Sequence, residues 1–214
     1  MFKAGNYWLP DTEDHIVEEY RAGGWQLDHL FSALAHVKNF EVAIDGGAHV
    51  GSWTKALAER FAHVHSYDLN PENFECLERN IQEWGLTNVT YNNIGLGDKP
   101  AKVGMVPDEK YGMKNTGGMH VKGKGNLPVD TLDNLLPDLD ALDFVKLDIE
   151  GYEERALRGA ATLIEKFSPV IQIEHKTRIN SRYGGNSMGD LNYLVSIGYR
   201  MVGKFGSDWV FIRD

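Results

Sequence analysis

The chain has 214 residues, of which 42% are hydrophobic and 25% are charged, and its formal net charge is −9. This composition excludes a disordered or collagen-like chain, and the length fits one domain of roughly 100–200 residues. A single cysteine, Cys76, excludes an internal disulfide, and no apolar run is long enough to cross a bilayer. The acidic balance argues against duplex nucleic acid as a partner, and the opening residues do not resemble a secretory signal. We therefore expect a cytoplasmic protein without a membrane or nucleic-acid partner.

The first 38 residues are expected to form a helical cap. Ile16, Val17 and Tyr20 favour a first helix that ends at Gly23-Gly24, and apolar residues at helical spacing predict a second over about 27–37. We divide the single domain into this cap (1–38), a core (39–175) and a C-terminal helix with a hairpin (176–214).

The core alternates short apolar strands with amphipathic helices. The expected strands are 40–44, 64–67, 89–94, 142–147 and 170–173. This alternation predicts an α/β fold with a mostly parallel sheet and helices on both faces. Residues 95–128 interrupt it and are expected to form a hairpin and a loop, whereas 187–196 predicts a helix and 199–212 a terminal hairpin. Ligands of such sheets bind at the carboxyl ends of the strands.

A glycine-rich loop follows the first core strand. Asp45-Gly46-Gly47-Ala48-His49-Val50-Gly51 leads into a helix, and Asp68 ends the next strand 23 residues later. Glycines let a ligand approach the backbone closely, and a carboxylate at the second strand can accept both hydroxyls of a ribose. This pair of features predicts a nucleoside-binding site.

Two nucleoside cofactors fit this pattern. A dinucleotide requires G-x-G-x-x-G, but Ala48 occupies the middle glycine position and Asp45 would repel a pyrophosphate. The same carboxylate would attract the ammonium of S-adenosylmethionine, although an acid at this strand end can instead organise the loop. The loop therefore favours the methyl donor over a nicotinamide dinucleotide.

A second group of charged residues follows the fourth core strand, in Asp143-Phe144-Val145-Lys146-Leu147-Asp148-Ile149-Glu150-Gly151-Tyr152-Glu153. Charges at the end of a buried strand cost desolvation and usually have a role. Glu153 and Glu154 fit a purely structural role, because they complement the dipole of the next helix. Asp148 instead is expected beside the first strand, near the reactive end of the cofactor.

These stretches resemble the FkbM-type S-adenosylmethionine-dependent methyltransferases. The similarity covers roughly residues 40–176 and includes Val129-Asp130-Thr131-Leu132-Asp133, Leu157-Arg158-Gly159-Ala160 and Ser168-Pro169-Val170-Ile171-Gln172-Ile173-Glu174. One departure is Asp68-Leu69-Asn70-Pro71, where the family usually has Glu directly before Pro. The resemblance implies the Rossmann-like class I methyltransferase fold, whose seven-stranded sheet has an antiparallel last strand. It also implies O-methylation, often of sugars or other hydroxylated metabolites.

The combined patterns predict two sets of site residues. The expected cofactor-binding residues are Asp45, Gly46, Gly47, Ala48, His49, Gly51, Ser52, Asp68, Leu69, Asn73, Gly95, Leu96 and Asp148. The expected catalytic residues are Asp148, Glu150, Glu174 and His175. His175 is a candidate general base with its ring oriented by Asp148 or Glu174. The same four residues can alternatively bind Mg²⁺, although we favour a site without a metal.

We therefore predict an S-adenosylmethionine-dependent O-methyltransferase that acts on a small metabolite or glycan. Substrate choice is assigned to the N-terminal helices, residues 99–128 and residues 175–185, and the basic residues of the last segment suggest an anionic acceptor. A nicotinamide-dependent oxidoreductase and a cofactor-binding protein without turnover are the alternatives. The sequence gives no indication of the oligomeric state.

Overall fold

The computed structural model describes residues 1–108, 114–183 and 186–213. The strands in these ranges are β1 (Phe2–Ala4), β2 (Tyr7–Leu9), β3 (Val42–Gly46), β4 (His63–Tyr67), β5 (Val89–Asn92), β6 (Gly95–Leu96), β7 (Ala101–Val106), β8 (His120–Lys124), β9 (Leu127–Asp130), β10 (Phe144–Leu147), β11 (Val170–Glu174), β12 (Arg200–Phe205) and β13 (Asp208–Ile212). The helices are α1 (Val17–Arg21), α2 (Leu27–Leu34), α3 (Ser52–Ala58), α4 (Pro71–Trp84), α5 (Leu132–Leu135), α6 (Glu153–Arg158), α7 (Ala161–Phe167), α8 (Thr177–Asn180) and α9 (Gly189–Ser196).

Seven strands form the main sheet, in the order β12-β13-β11-β10-β3-β4-β5. The pairs from β11 through β10, β3 and β4 to β5 are parallel, whereas β13 runs antiparallel to both of its neighbours. The order reverses direction at β3, where the chain first steps outward to β4 and β5 and later returns to β10. The predicted fold class, with its antiparallel last strand, is confirmed.

Both faces of this sheet are buried, and alternate side chains of the central strands pack into two different clusters. Phe144 packs against one cluster that includes Leu30 and Leu57 of α2 and α3. Its neighbour Val145 packs against another cluster that includes Leu157 of α6. Because both faces are covered, the central strands are continuous apolar runs, as expected of a parallel sheet with helices on each side.

Helix α4 shows how local sequence sets the element bounds. The Asn70 side chain accepts a hydrogen bond from the Glu72 amide, Pro71 occupies the first turn, and Gly85 ends the helix with φ of 65°. These are favourable residues for a helix start and a helix end. Cys76 lies buried within this helix, as expected of a structural thiol.

The N-terminal segment is not wholly helical, which corrects the expectation for residues 1–38. Strands β1 and β2 form an antiparallel hairpin ahead of α1. Tyr7 and Leu9 are buried on either side of Trp8, an alternation with the period of a strand rather than of a helix. The Trp8 amide donates to the Asn80 side chain, and Asn80 donates back to the Trp8 carbonyl, which docks the hairpin on α4.

The other expectations about organisation need smaller changes. The interrupting segment forms a four-stranded sheet of order β6-β9-β7-β8, and it contains the expected hairpin as β7 and β8. Residues 109–113 of this segment, and 184–185 of the segment 175–185, lie outside the described residues. The terminal hairpin is confirmed as β12 and β13. No helix in the described part of the chain is long and apolar enough to cross a membrane.

Candidate active site

A cavity of about 250 Å³ lies at the carboxyl ends of β3, β4, β10 and β11. Three groups of residues from outside the main sheet also line it. They are His15, Ile16, Tyr20 and Trp25 of the N-terminal segment, Met105, Val121 and residues 115–119 of the second sheet and its loop, and Lys176 after β11. The three segments to which we assigned substrate choice therefore all reach one cavity.

The glycine-rich loop forms the floor of this cavity by close backbone packing. The amides of Gly47 and Ala48 both donate to the Tyr67 carbonyl, at 2.9 and 3.0 Å. Gly47 has φ of 77°, and a Cβ atom on it would stand 1.8 Å from the carbonyl oxygen of Asp148. Only glycine fits this position, because a side chain would collide with the end of β10.

Beneath the loop, Asp45 forms a buried ion pair with Lys146. Their strands are paired in register, and the Lys146 Nζ lies 3.2 Å from the Asp45 carboxylate. Thr54 donates its hydroxyl to the other carboxylate oxygen at 2.7 Å, and Lys146 also donates to the Gly47 carbonyl at 2.7 Å. Lys146 thus fixes the loop to β10, and the Asp45 charge holds the pKa of this buried ammonium above its ordinary value.

This ion pair fits the second of the two roles expected for Asp45, organisation of the loop, rather than binding of a cofactor ammonium. The residue is completely buried and does not line the cavity, so its carboxylate is not presented to a cofactor ammonium. Gly46 and Gly51 do not line the cavity either; a Cβ atom on Gly51 would meet Leu77 at 2.7 Å. Lys146 is absent from the predicted site residues. A lysine inside an otherwise apolar strand could have indicated it, because a buried charge requires a partner.

Asp68 faces the cavity, as predicted. Its carboxylate accepts hydrogen bonds from the amides of His49 and Asn70, at 2.7 and 2.9 Å. Burial nevertheless raises the pKa of this group to about 7. Apart from Gly47 and His49 of the glycine-rich loop, the other predicted cofactor-binding residues that line the cavity are Ala48, Ser52, Leu69, Asn73, Gly95, Leu96 and Asp148.

A directed chain of hydrogen bonds closes the cavity over the glycine-rich loop. Thr116 donates its hydroxyl to buried Glu13 at 2.7 Å, so its oxygen must accept from His49 Nε2 at 2.9 Å. The other ring nitrogen, Nδ1, then accepts from the Tyr20 hydroxyl at 2.8 Å. This arrangement requires a neutral His49, and burial lowers the pKa of the imidazole to about 4. His49 therefore joins the loop to two segments that cover it.

The turn after β10 presents Glu150 to the cavity. Glu150 has φ of 56° and Gly151 has φ of 96°, both in the left-handed region. Buried Glu153 stabilises this turn by accepting from the amides of Ile149 and Gly151, at 2.9 and 3.2 Å. Glu153 therefore has a structural role, but through hydrogen bonds to this turn rather than through the helix dipole. A non-glycine residue held in this conformation at a cavity wall is typical of a functional position.

Three carboxylates meet at the end of the cavity formed by β10 and β11. One oxygen from each of Asp148, Glu150 and Glu174 lies within 4.8 Å of the others. Burial raises the pKa of Glu150 to about 7 and that of Glu174 well above its ordinary value. The Asp148 side chain makes no hydrogen bond or ion pair with any residue that the structure describes. The predicted catalytic carboxylates are thus brought together.

His175 is not brought to the same place, which corrects the prediction of a catalytic base there. Its Nδ1 lies 2.9 Å from an Asp190 carboxylate oxygen, and its ring packs edge-on against Trp209 with centroids 5.3 Å apart. His175 is not among the residues that line the cavity. Glu174 is the last residue of β11, and His175 follows it directly. Successive side chains of an extended chain point to opposite faces, so His175 faces away from the cavity that Glu174 lines.

The basic residues after β11 are paired with acidic residues. Lys176 contacts Glu174, while Arg178 and Arg182 both reach Asp108, at 3.3 and 2.5 Å. Asp108 is 70 and 74 positions away from these arginines along the chain, so no local pattern indicates the pairing. Their pairing weakens the argument for an anionic acceptor.

Comparison with known proteins assigns this chain to one family. The model of the methyltransferase FkbM domain matches residues 45–201. The chain belongs to the FkbM methyltransferase family. A crystal structure of methyltransferase FkbM from Methylobacillus flagellatus superposes with a TM-score of 0.58 at 21% identity, covering 91% of this chain and 50% of that chain.

Two further relatives have names that refer to precorrins. The structure of precorrin 8W decarboxylase from Methanobacterium thermoautotrophicum superposes with a TM-score of 0.55 at 16% identity and covers all of both chains. A protein from Methanothermobacter thermautotrophicus, described as a probable cobalt-precorrin-6B C(15)-methyltransferase (decarboxylating), is 38% identical over 80 residues. That match spans 37% of this chain and 40% of the relative. The domain match shows the family, and the superpositions show a Rossmann-like fold for this chain.

The residues around the glycine-rich loop fit this family's cofactor. The Asn73 side chain donates to the Thr116 carbonyl, but its buried Oδ1 has no hydrogen-bond partner among the described residues. An acceptor without a partner in the same cavity as Asp68 suits the hydroxyl or amino groups of an adenosine. Asp68 and Asn73 could therefore hold the nucleoside half of S-adenosylmethionine.

Asp68→Ala is expected to weaken binding of S-adenosylhomocysteine by roughly 10- to 100-fold. Hydrogen bonds to a charged group contribute about 1.5–3 kcal/mol, which corresponds to that range. Titration calorimetry measures the effect, with circular dichroism as the check on folding. An unchanged dissociation constant would show that another residue holds the ribose.

The raised pKa of Asp68 makes this affinity dependent on pH. Because hydrogen bonding to ribose favours the carboxylate, the affinity should fall about tenfold from pH 8 to pH 6, through the folded-state pKa of about 7. The folded-state pKa exceeds the unfolded value, so this group favours the folded state at low pH and loses that contribution as pH rises through 7. Asp68→Asn keeps an acceptor oxygen but should remove the pH dependence of binding. Glu150 titrates in the same range, and this comparison isolates the contribution of Asp68.

Proposed function

We propose that this protein transfers a methyl group from S-adenosylmethionine to a hydroxyl oxygen of a small metabolite or sugar. The observation that carries the proposal is the convergence of Asp148, Glu150 and Glu174 at one end of the cavity whose other end contains Asp68. Family membership supports the methyl donor, and the carboxylates support an acceptor that must lose a proton. The chain spans about half the length of the FkbM structure it matches and 40% of the curated relative, so the activity of the whole protein is part of the proposal.

Each end of the cavity has a distinct task under this proposal. S-adenosylmethionine, when bound, supplies an electrophilic methyl carbon attached to a sulfonium sulfur. Asp68 and Asn73 hold the nucleoside, and Gly47 and Lys146 fix the loop beneath it. The N-terminal segment and the loop around Thr116 cover the site, which keeps water from competing with the acceptor.

The carboxylate end orients the acceptor hydroxyl and takes its proton. Asp148 is the best placed to accept a hydrogen bond from that hydroxyl, because no described residue occupies its carboxylate. Glu150 has a pKa of about 7, which suits proton uptake near neutral pH. Alignment of the hydroxyl with the methyl carbon contributes through proximity as well, since in-line displacement depends strongly on geometry.

The test uses S-adenosylmethionine labelled with ¹³C in its methyl group and a panel of sugars and hydroxylated metabolites. Each acceptor is paired with an analogue in which one hydroxyl is already methylated. We expect transfer to the free hydroxyl only, and the ¹³C chemical shift of the product distinguishes a methyl on oxygen from one on carbon. The relative named as a C(15)-methyltransferase makes this distinction necessary, and label on carbon would contradict the proposal.

Asp148→Asn provides the accompanying test of the carboxylate end. The amide keeps the size of the side chain but removes the charge that orients the acceptor hydroxyl for proton uptake by Glu150, so we expect turnover to fall roughly 10²- to 10⁴-fold. Binding of S-adenosylhomocysteine should remain within about twofold of the unmodified protein. Full activity in this variant would place orientation of the hydroxyl elsewhere.

A further inference from the structure

The carboxylate end of the cavity includes a cation from the chain itself. The Lys176 ammonium lies 2.6 Å from Glu174 Oε1 and 3.7 Å from Glu150 Oε1. These two carboxylates and Asp148 place oxygens within 4.8 Å of one another, which is also an arrangement that divalent cations use. Lys176 lies directly after β11, so the same strand positions both Glu174 and the cation that faces it.

The charges around this group explain why a cation is needed there. Glu150 and Glu174 are both buried, and like charges at such separations repel one another strongly in a medium of low dielectric constant. Arg182 forms an ion pair with Glu150 at 3.8 Å, but its guanidinium also forms a closer ion pair with Asp108, at 2.5 Å. Lys176 is thus the cation closest to the Glu174 carboxylate among the described residues. The two glutamates in turn hold the pKa of the Lys176 ammonium above its ordinary value.

We propose that Lys176 is a built-in cation that holds Glu150 and Glu174 in place and occupies the position that a divalent metal would take among the three carboxylates. Lys176 is a positioning residue in this proposal, because it acts on the acceptor through the carboxylates. Its ammonium satisfies Glu174 and Glu150 and leaves Asp148 available to the acceptor hydroxyl. The role of these carboxylates toward an acceptor rests on the proposed function, whereas their arrangement around Lys176 does not.

The test measures metal binding, which requires neither the cofactor nor the acceptor. Mn²⁺ is titrated into the full chain, and binding is followed by the loss of the electron paramagnetic resonance signal of free Mn²⁺. We expect no stoichiometric site in the unmodified protein. Lys176→Met is expected to bind one Mn²⁺ at least tenfold more tightly, because Glu150 and Glu174 then lack their ammonium and Asp148 supplies a third carboxylate beside them. Glu174→Gln added to Lys176→Met should abolish that site.

Two further variants separate positioning from general effects of charge. Lys176→Arg keeps a cation at this position and should bind Mn²⁺ no better than the unmodified protein, with methyl transfer largely retained. Lys166→Met removes an exposed lysine of α7 that does not line the cavity, and it should change neither metal binding nor methyl transfer. Lys176→Met should lose at least tenfold in methyl transfer without metal.

Two results would overturn the proposal. One is a stoichiometric Mn²⁺ site in the unmodified protein that is as tight as in Lys176→Met; the other is the absence of a new site in a folded Lys176→Met. If Lys176→Met is unfolded without metal, Mn²⁺ should restore the circular dichroism of the folded state, because a ligand bound only by the folded state stabilises it. Failure to do so also overturns the proposal. Because these titrations use no cofactor, they can succeed or fail independently of the proposed methyl transfer.

Discussion

Gly47→Ala is expected to eliminate measurable binding of S-adenosylhomocysteine and to destabilise the protein by several kcal/mol. A Cβ atom at this position would stand 1.8 Å from the carbonyl oxygen of Asp148, and the backbone has φ of 77°. The conformational penalty of an L-residue there is about 1–2 kcal/mol, and relief of the overlap requires the loop and the end of β10 to separate. Asp68 at one end of the cavity and the carboxylates at the other end would then no longer be held at a fixed distance from each other. Calorimetry and thermal unfolding measure the two effects.

Gly85→Ala is the matched control for this substitution. Gly85 also has a left-handed backbone, with φ of 65°, but a Cβ atom on it would meet nothing within 4 Å. We expect a loss of about 1 kcal/mol in the free energy of unfolding and no change in affinity for S-adenosylhomocysteine. Equal effects of the two substitutions would mean that backbone strain, rather than the contact with β10, explains the result at Gly47.

Lys146→Met is expected to lower the free energy of unfolding by about 3–5 kcal/mol. The substitution leaves the Asp45 carboxylate completely buried without its charged partner, and removal of one partner of a buried ion pair has an effect of this size. It also removes the hydrogen bond to the Gly47 carbonyl, so affinity for the cofactor product should fall as well. Denaturant unfolding gives the stability change.

The double variant Asp45→Asn/Lys146→Met separates the ion pair from the packing of the lysine stem. It contains no unpaired buried charge, so it should recover much of the stability lost in Lys146→Met, whereas affinity should not recover. A double variant that is less stable than Lys146→Met would contradict the interpretation, because it would show that Asp45 does not depend on Lys146.

Much of the fold is predictable because local patterns determine it. The apolar runs that predict the central strands lie within a few residues of β3, β4, β10 and β11, since strands buried on both faces must be apolar throughout. The glycine-rich loop and Asp68 are predictable for a similar reason, because the ends of neighbouring parallel strands meet at one edge of the sheet. The N-terminal hairpin was missed because two three-residue strands give too short an alternation to distinguish from a helix start.

The partners of individual side chains are less predictable, because they depend on register and on contacts distant in sequence. The local pattern leaves two roles open for the Asp45 carboxylate, a cofactor ammonium or the loop itself, and only the in-register pairing of β3 with β10 shows that Lys146 is its partner. His175 adjoins a residue of the cavity in sequence but faces the other way, toward Asp190. The contact between Glu13 and Thr116 joins segments 103 positions apart, and no local pattern indicates it.

The most direct measurement is titration calorimetry of the unmodified protein with S-adenosylhomocysteine, NAD and NADP in parallel. Asp68, Asn73 and the family fold predict a single site that binds S-adenosylhomocysteine with a dissociation constant on the order of micromolar, about −8 kcal/mol. Neither dinucleotide should bind appreciably. Saturable binding of NAD or NADP without a response to S-adenosylhomocysteine would contradict the assignment of this cavity to the methyl donor.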